Sequence, residues 1–408
     1  MSPMKLLIYA HFFAPSIGGV ENAVESLARG LAEMRGPNGE AEFAITLVTP
    51  FSRGNFNDET LPFPVIRAPH FRTLIKLIWQ ADLVHIAGPS LAPLWIAWCV
   101  RTPAVIEHHG YQATCLNGLL LQQPGRTQCP GFFMSGRYEK CLRCFAQETS
   151  WPRSIFKLLT MFPRRFLTRR VAANLAISQH VMNRQGLPRT KVVYYGIEDP
   201  YVSLKEGPVP QRSEELCFAY VGRFVPEKGV LVLLRAVSLL RKEGRRFSTL
   251  LIGDGVQRSE LEEIIRRENL SDGIRITGYL RGEELASQMR GVDVVVMPSL
   301  CEETAGLAAI EQMMRGRLVI ASAIGGLREI VDGTGLTFSA GNEFALAERM
   351  RAVLENPSQF RELAQNARKR SLEVFPLRRM IEEHAMIYRQ IARPGTVSAR
   401  IAEDASLP

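Results

Sequence analysis

Two acids, Glu303 and Glu311, stand in the run Pro298-Ser299-Leu300-Cys301-Glu302-Glu303-Thr304-Ala305-Gly306-Leu307-Ala308-Ala309-Ile310-Glu311, with seven residues between them. The intervening run is small and apolar, so it can open a helix. Upstream, residues 292–297 read as a buried parallel strand, and downstream residues 318–322 read as the next one. The spacing predicts Glu303 in the loop where a strand ends and Glu311 about two turns into the following helix. Ligands of open α/β sheets bind at the carboxyl ends of strands. A helix start adds free backbone N–H groups and the positive end of a dipole, a setting suited to phosphate. Two glutamates near a helix start can also be solvated or act as caps, and the residues around them decide between these readings.

Three more strand ends are punctuated by glycine: Val221-Gly222-Arg223-Phe224-Val225-Pro226-Glu227-Lys228-Gly229, Ile252-Gly253-Asp254-Gly255 and Ile324-Gly325-Gly326-Leu327-Arg328-Glu329. Arg223 would supply a planar fork for phosphate oxygens and Lys228 a point charge. A plain surface pair is the rival reading, and the flanking Gly222 and Gly229 favour phosphate contact. Near the N-terminus, Gly18-Gly19-Val20-Glu21 follows the first strand. Its side-chain-free backbone could approach a ligand closely, or simply make a tight turn. Neither site is a dinucleotide fingerprint: the run from Gly253 to Arg258 lacks the third glycine of G-x-G-x-x-G, and a Walker A loop is absent.

Taken together and in this order, the set resembles glycosyltransferase family 4, the retaining enzymes of the GT-B fold with a glycogen-synthase-like C-terminal domain. The family's E-x7-E motif falls on Glu303 and Glu311, and its G-R-x-x-x-x-K-G motif on Gly222, Arg223, Lys228 and Gly229. Its N-terminal glycine-rich loop falls on Gly18-Gly19-Val20-Glu21. The resemblance covers nearly the whole chain. It departs at Thr304-Ala305, where the family usually has Gly-Phe, and that bears on donor fit.

The resemblance implies an α/β protein with two Rossmann-like domains facing across a cleft and a C-terminal helix crossing back to the first. It implies a nucleotide-diphospho-sugar as co-substrate, with UDP or GDP as the nucleotide. Glu311 would bond the ribose hydroxyls and Glu303 the donor sugar hydroxyls. Gly306 and Leu307 would offer N–H groups to the diphosphate, and Tyr279 would lie by the base. Gly18 and Gly19 would approach the donor phosphate or sugar. His109, in Ile106-Glu107-His108-His109-Gly110, matches the family's histidine that contacts the donor sugar or assists the acceptor. His108 is its register rival, and a packed strand-end histidine is the plain alternative. The expected catalytic set is Glu303, Arg223, Lys228 and His109. Attack would come from the front face, the leaving phosphate helping to deprotonate the acceptor; a glutamyl-enzyme intermediate is the alternative. No Asp-x-Asp pair occurs anywhere. Fixed cations and helix N-termini are therefore expected to stabilise the departing diphosphate, with no cofactor required for catalysis.

A chain of 408 residues suggests two or three domains. No run of about 18 uninterrupted apolar residues exists, so no spanning helix is predicted. The start leads straight into a strand with no visible signal peptide, and a cytoplasmic location is the expectation. Net charge is +9. Residues 151–170 carry Arg153, Lys157, Arg164, Arg165, Arg169 and Arg170 without one acid, interleaved with Phe156, Leu158, Leu159, Phe162, Phe166 and Leu167. Pro163 is predicted to split this stretch into two short amphipathic helices. Such a segment can lie on an anionic membrane surface, which would fit a lipid-linked acceptor. A core helix with a basic solvent face is the rival. No nucleic-acid module accompanies it, so nucleic acid is not an expected partner.

Four of the seven cysteines, Cys115, Cys129, Cys141 and Cys144, fall in an insert at 110–150 with little apolar periodicity. They are read as a structural zinc site that staples the insert, against free thiols or a redox pair. The domain reading is an N-terminal acceptor domain over 1–198 and a linker over 199–215. A donor domain over 216–375, a crossover helix over 376–392 and a disordered tail over 393–408 follow. The function expected is sugar transfer to a glycan or lipid-linked acceptor in cell-surface polysaccharide or glycolipid synthesis. A sugar-nucleotide epimerase of GT-B architecture, or an inactive sugar-nucleotide-binding scaffold, is the alternative.

Overall fold

The structure, a computed structural model, describes residues 2–16, 18–88, 90–201 and 215–392. The core of the predicted linker, 202–214, and the tail, 393–408, lie outside the described residues. The chain forms two compact units. Among the described residues the first holds 2–118, 131–197 and 377–392, and the second holds 119–130, 198–201 and 215–376.

The first unit starts with β1 (Met4–Ala10), α1 (Gly19–Glu33), β2 (Phe43–Thr49), β3 (Val65–Arg67), α2 (Phe71–Gln80), β4 (Leu83–Ala87), α3 (Leu91–Val100) and β5 (Ala104–His108). The segment 119–130 carries a small antiparallel hairpin, β6 (Leu121–Gln122) and β7 (Thr127–Gln128). The first unit resumes with α4 (Tyr138–Ala146), α5 (Trp151–Thr168), β8 (Ala173–Ala176), α6 (Gln179–Gln185) and β9 (Thr190–Val192). Its seven strands are all parallel, in the order β3-β2-β1-β4-β5-β8-β9. The central strands are buried along almost their whole length, as strands covered by helices on both faces are. The order reverses between β1 and β4, so a ligand crevice is expected beyond their carboxyl ends.

The second unit continues with β10 (Cys217–Val221), α7 (Val230–Lys242), β11 (Ser248–Ile252), α8 (Arg258–Arg267), β12 (Ile274–Gly278), α9 (Gly282–Met289) and β13 (Val294–Met297). It ends with α10 (Leu307–Met314), β14 (Leu318–Ser322), α11 (Gly325–Val331), β15 (Leu336–Phe338), α12 (Glu343–Glu355) and α13 (Pro357–Val374). Its sheet is parallel, in the order β12-β11-β10-β13-β14-β15, and the order reverses between β10 and β13. The chain then returns to the first unit as α14 (Leu377–Ala392). This helix lies on α1, where a β-carbon at Gly30 would overlap the Ile381 side chain. Arg389 holds Glu42 through two hydrogen bonds of 2.5 and 2.7 Å.

Two features differ from the sequence reading. The basic stretch is one unbroken helix, α5, with Pro163 inside it. A proline in a helix interior costs about 3 kcal/mol. Burial of Leu158, Met161 and Leu167, with α5 packed on α3 and α4, offsets that cost. The insert also has an apolar anchor that its periodicity did not reveal. Phe133 is buried and its ring lies 5.5 Å from Tyr138 and 5.7 Å from Phe162 of α5.

Candidate active site

In the second unit the predicted residues gather at the reversal between β10 and β13. Glu303 lies in the loop after β13, and Glu311 is the fifth residue of α10, just over one turn in. The sequence suggested about two turns; the helix opens only at Leu307, which puts Glu311 nearer its amino end. Gly306 caps α10 in a left-handed conformation and no side chain caps the helix, so its first N–H groups point outward. Glu311 itself is exposed.

Lys228 Nζ meets Glu303 Oε1 at 2.5 Å, and Ser299 Oγ donates to the same oxygen at 2.7 Å. Burial works against both charges, and each partner outweighs it for the other. The Lys228 pKa is held above its ordinary value and the Glu303 carboxyl below its own. Both are therefore ionised near neutral pH, and Lys228 keeps two further N–H groups to give. The turn that delivers Lys228 depends on Gly229, where φ is +67° and a β-carbon would overlap the Pro298 carbonyl oxygen. Arg223 is exposed, and its guanidinium makes no hydrogen bond among the described residues. Its carbonyl is fixed by Tyr220, whose buried phenol donates at 2.7 Å and is pushed well above its ordinary pKa by burial. Tyr279 follows β12 and is 62% exposed. Burial pushes the nearby Cys301 thiol up to about 12, so it is not a nucleophile here. Ser299 and Tyr220 carried no sequence signal; only the fold turns them onto Glu303 and the Arg223 loop.

In the first unit, Gly18 is the N-cap of α1 and Gly19 its first residue. Gly18 has extended backbone, and the side chain of Glu21 lies against it. His108 is buried with Nε2 at 2.9 Å from Asn174 Oδ1, and burial lowers its pKa to about 4. His109 is enclosed as well. Its Nδ1 lies 2.5 Å from the Tyr195 hydroxyl and its Nε2 lies 3.5 Å from Glu107 Oε2. Both ring nitrogens thus face protein rather than an open surface, because a buried carboxylate next door recruits one of them. The same carboxylate faces His85 Nε2 at 3.3 Å and His384 Nε2 at 3.5 Å. His85 Nδ1 in turn lies 2.8 Å from the Tyr388 hydroxyl, so α14 closes the cluster. Glu107 sits in the sequence between strand residues and the two histidines, but its partners on β4 and α14 are far away along the chain.

The cysteines do not assemble as expected. Among the described residues no group of three or more His, Cys, Asp or Glu is placed to hold a metal ion. Cys141 and Cys144 share one face of α4, while Cys115 Sγ donates to Asn117 Oδ1 at 2.9 Å. Cys129 lies in the segment grouped with the second unit.

Comparison with known proteins places this geometry in a family. The family model described as "Glycosyl transferases group 1" matches residues 205–370. The chain is 36% identical over 141 residues to the 2-deoxystreptamine glucosyltransferase of Streptomyces kanamyceticus, covering 34% of this chain and 36% of the relative. It is 31% identical over 315 residues to the glycogen synthase of Mycobacterium tuberculosis, covering 76% of this chain and 69% of the relative. It spans about a third to a half of the length of the first curated relatives it matches. The fold is similar to that of HepE from Anabaena in complex with UDP, with a TM-score of 0.69 at 18% identity over 94% of this chain and 99% of that one. It is likewise similar to a glycosyltransferase from Rickettsia africae, with a TM-score of 0.71 at 18% identity over 97% and 100%. These likenesses give the fold class as GT-B, with two Rossmann-like halves. Because the match to the glycogen synthase extends over two thirds of that relative, the chain belongs to the glycosyl transferases group 1 family.

Proposed function

We propose that the chain is a retaining, metal-independent glycosyltransferase of family 4. It would move a sugar from a nucleotide-diphospho-sugar to a glycan or lipid-linked acceptor. The observation that carries this reading is the Lys228–Glu303 pair, set beside the uncapped start of α10. An ammonium and a row of free N–H groups suit a departing diphosphate, and a carboxylate held ionised next to them suits the hydroxyls of the sugar. Arg223, exposed and unbonded, is the second cation. Glu311 would take the ribose hydroxyls and Tyr279 the base, and Gly306 and Leu307 would supply the N–H groups. Gly18 and Gly19 would approach the donor from the first unit. His109 would have to release Tyr195 to touch the sugar with its ring. Front-face attack, with the leaving phosphate taking the acceptor proton, uses only these groups.

A panel of nucleotide sugars, read first by thermal stabilisation and then by turnover, tests the reading. One donor should raise the melting temperature in proportion to its excess over Kd. Transfer should continue after divalent ions are chelated, and the product should keep the donor's anomeric configuration. Turnover that stops on chelation would refute metal independence. Binding with no turnover on any acceptor would leave the scaffold alternative. An epimerase would instead release an altered sugar nucleotide with no acceptor present.

We also propose a cytoplasmic protein that works at an anionic membrane, in polysaccharide or glycolipid synthesis. In support, α5 and α3 share an exposed apolar face. Phe156 is 70% exposed and Leu159 60%, and Trp98 of α3 meets the edge of Phe166 at 6.3 Å. Arg153, Arg169 and Arg170 are exposed on the same helix and its end, with no acid among them. Cationic, aromatic-rich surface of this kind suits anionic headgroups. In vesicle co-sedimentation the protein should pellet with anionic lipid at low salt and be released at high salt, as screening removes the basic contribution. Equal recovery in the supernatant with neutral and anionic lipid would sink the membrane reading. No helix among the described residues is long and apolar enough to cross a membrane.

A further inference from the structure

Not all of the basic stretch faces outward. Arg164 of α5 is only 7% exposed, and its Nε and Nη1 are enclosed without a hydrogen-bond partner. Burial alone acts on it, lowering its pKa to about 10, and no carboxylate offsets that. Lys157 lies two turns earlier on the same helix, half-buried. Burial and the Arg164 charge both lower its pKa, and only the Cys115 thiol acts in the other direction. His11 stands at the carboxyl end of β1 and feels both cations, after burial, as a lowering of its own pKa. Its Nδ1 lies 2.7 Å from the hydroxyl of Ser90, which follows β4.

The place matters as much as the charges. β1 and β4 are the neighbours at which the strand order of the first unit reverses, and crevices beyond such strand ends hold ligands. A buried guanidinium without a partner is strongly unfavourable. Here a second cation sits near it in place of an acid, so the missing partner is an anion from outside the protein. Guanidinium offers a planar fork and ammonium a point charge, a combination that matches the oxygens of a phosphate monoester.

We propose that Arg164 and Lys157, beside His11 and Ser90, form a phosphate-binding subsite of the first unit that holds a phosphate group of the acceptor. The assignment to an acceptor rests on the glycosyltransferase reading; the phosphate subsite does not.

The test is calorimetric titration of inorganic phosphate into the full chain, with and without saturating UDP to fill the diphosphate site of the second unit. Wild type should show one saturable phosphate site that survives UDP. Arg164→Gln and Lys157→Met should each weaken that site by on the order of 10-fold or more, Arg164→Lys less, with UDP affinity unchanged. Thermal melting checks that each variant folds, and Lys157→Met carries the test if Arg164→Gln does not. No saturable phosphate in the UDP-filled protein, or equal affinity in wild type and Lys157→Met, overturns the subsite. Failure of both UDP and GDP to bind, with phosphate binding intact, overturns the donor reading instead. Displacement of phosphate by a soluble sugar phosphate, or by phosphatidic acid vesicles but not phosphatidylcholine, identifies a soluble or a lipid source. Displacement by neither overturns the acceptor assignment.

Discussion

Arg223→Ala is expected to lower the rate of sugar transfer by on the order of 10²-fold or more, while the melting temperature stays close to wild type. The reasoning starts from exposure. The Arg223 guanidinium makes no hydrogen bond among the described residues, so its removal leaves no buried group unsatisfied and costs the fold little. On the proposed reading it would meet a ligand whose charge grows as the diphosphate leaves, which is where a fixed cation contributes most to rate. Single-turnover kinetics on the best donor make the measurement. A near wild-type rate would remove Arg223 from the leaving-group site. Arg223→Lys should recover part of the loss, because a point charge replaces the fork but not its second hydrogen bond.

The second large effect is on stability. Glu107→Ala should destabilise the first unit by about 3–5 kcal/mol, the range for breaking a buried charged cluster by removing one partner. At about 2–4 °C per kcal/mol for a body of this size, the melting temperature should drop by on the order of 10 °C. Burial alone would raise the Glu107 carboxyl, but His109, His384 and His85 outweigh it and hold it well below the ordinary carboxylate range. A depressed carboxylate stabilises above its unfolded pKa, and the contribution is lost as pH falls through the folded one. Burial also lowers the pKa of His85 and His109, so the unfolded chain takes up protons below about 6.5 before the fold does. The two effects have the same sign. Wild-type stability should therefore fall steadily on acidification from about pH 6.5, and Glu107→Ala should lack the most acidic part of that fall. A variant that melts with wild type across the whole range would show that the cluster holds nothing together.

The sequence alone determined much of the second unit. Its strands are short apolar runs that end in glycine, and its motif residues lie within a few positions of the strand ends that carry them. Local spacing therefore put Arg223, Lys228, Glu303 and Glu311 at one edge of one sheet. That logic runs along the chain, which is why the position of Glu311 along α10 was misjudged by less than a turn. The first unit was less legible because its important contacts join residues far apart in sequence. Glu107 of β5 meets His85 of β4 and His384 of α14, an arrangement that periodicity cannot register. The same reason applies to α5. Its composition read as a basic surface broken at Pro163, but packing kept it whole and turned Arg164 inward, away from the arginines that remain in solvent. Composition counts charges; only tertiary packing decides which of them lose water, and that loss marks Arg164 as a ligand-seeking group. The cysteines teach the converse. Their spacing allowed a metal staple, while the aromatic contacts of Phe133 anchor the insert by burial, a term that depends on which surfaces the fold brings together.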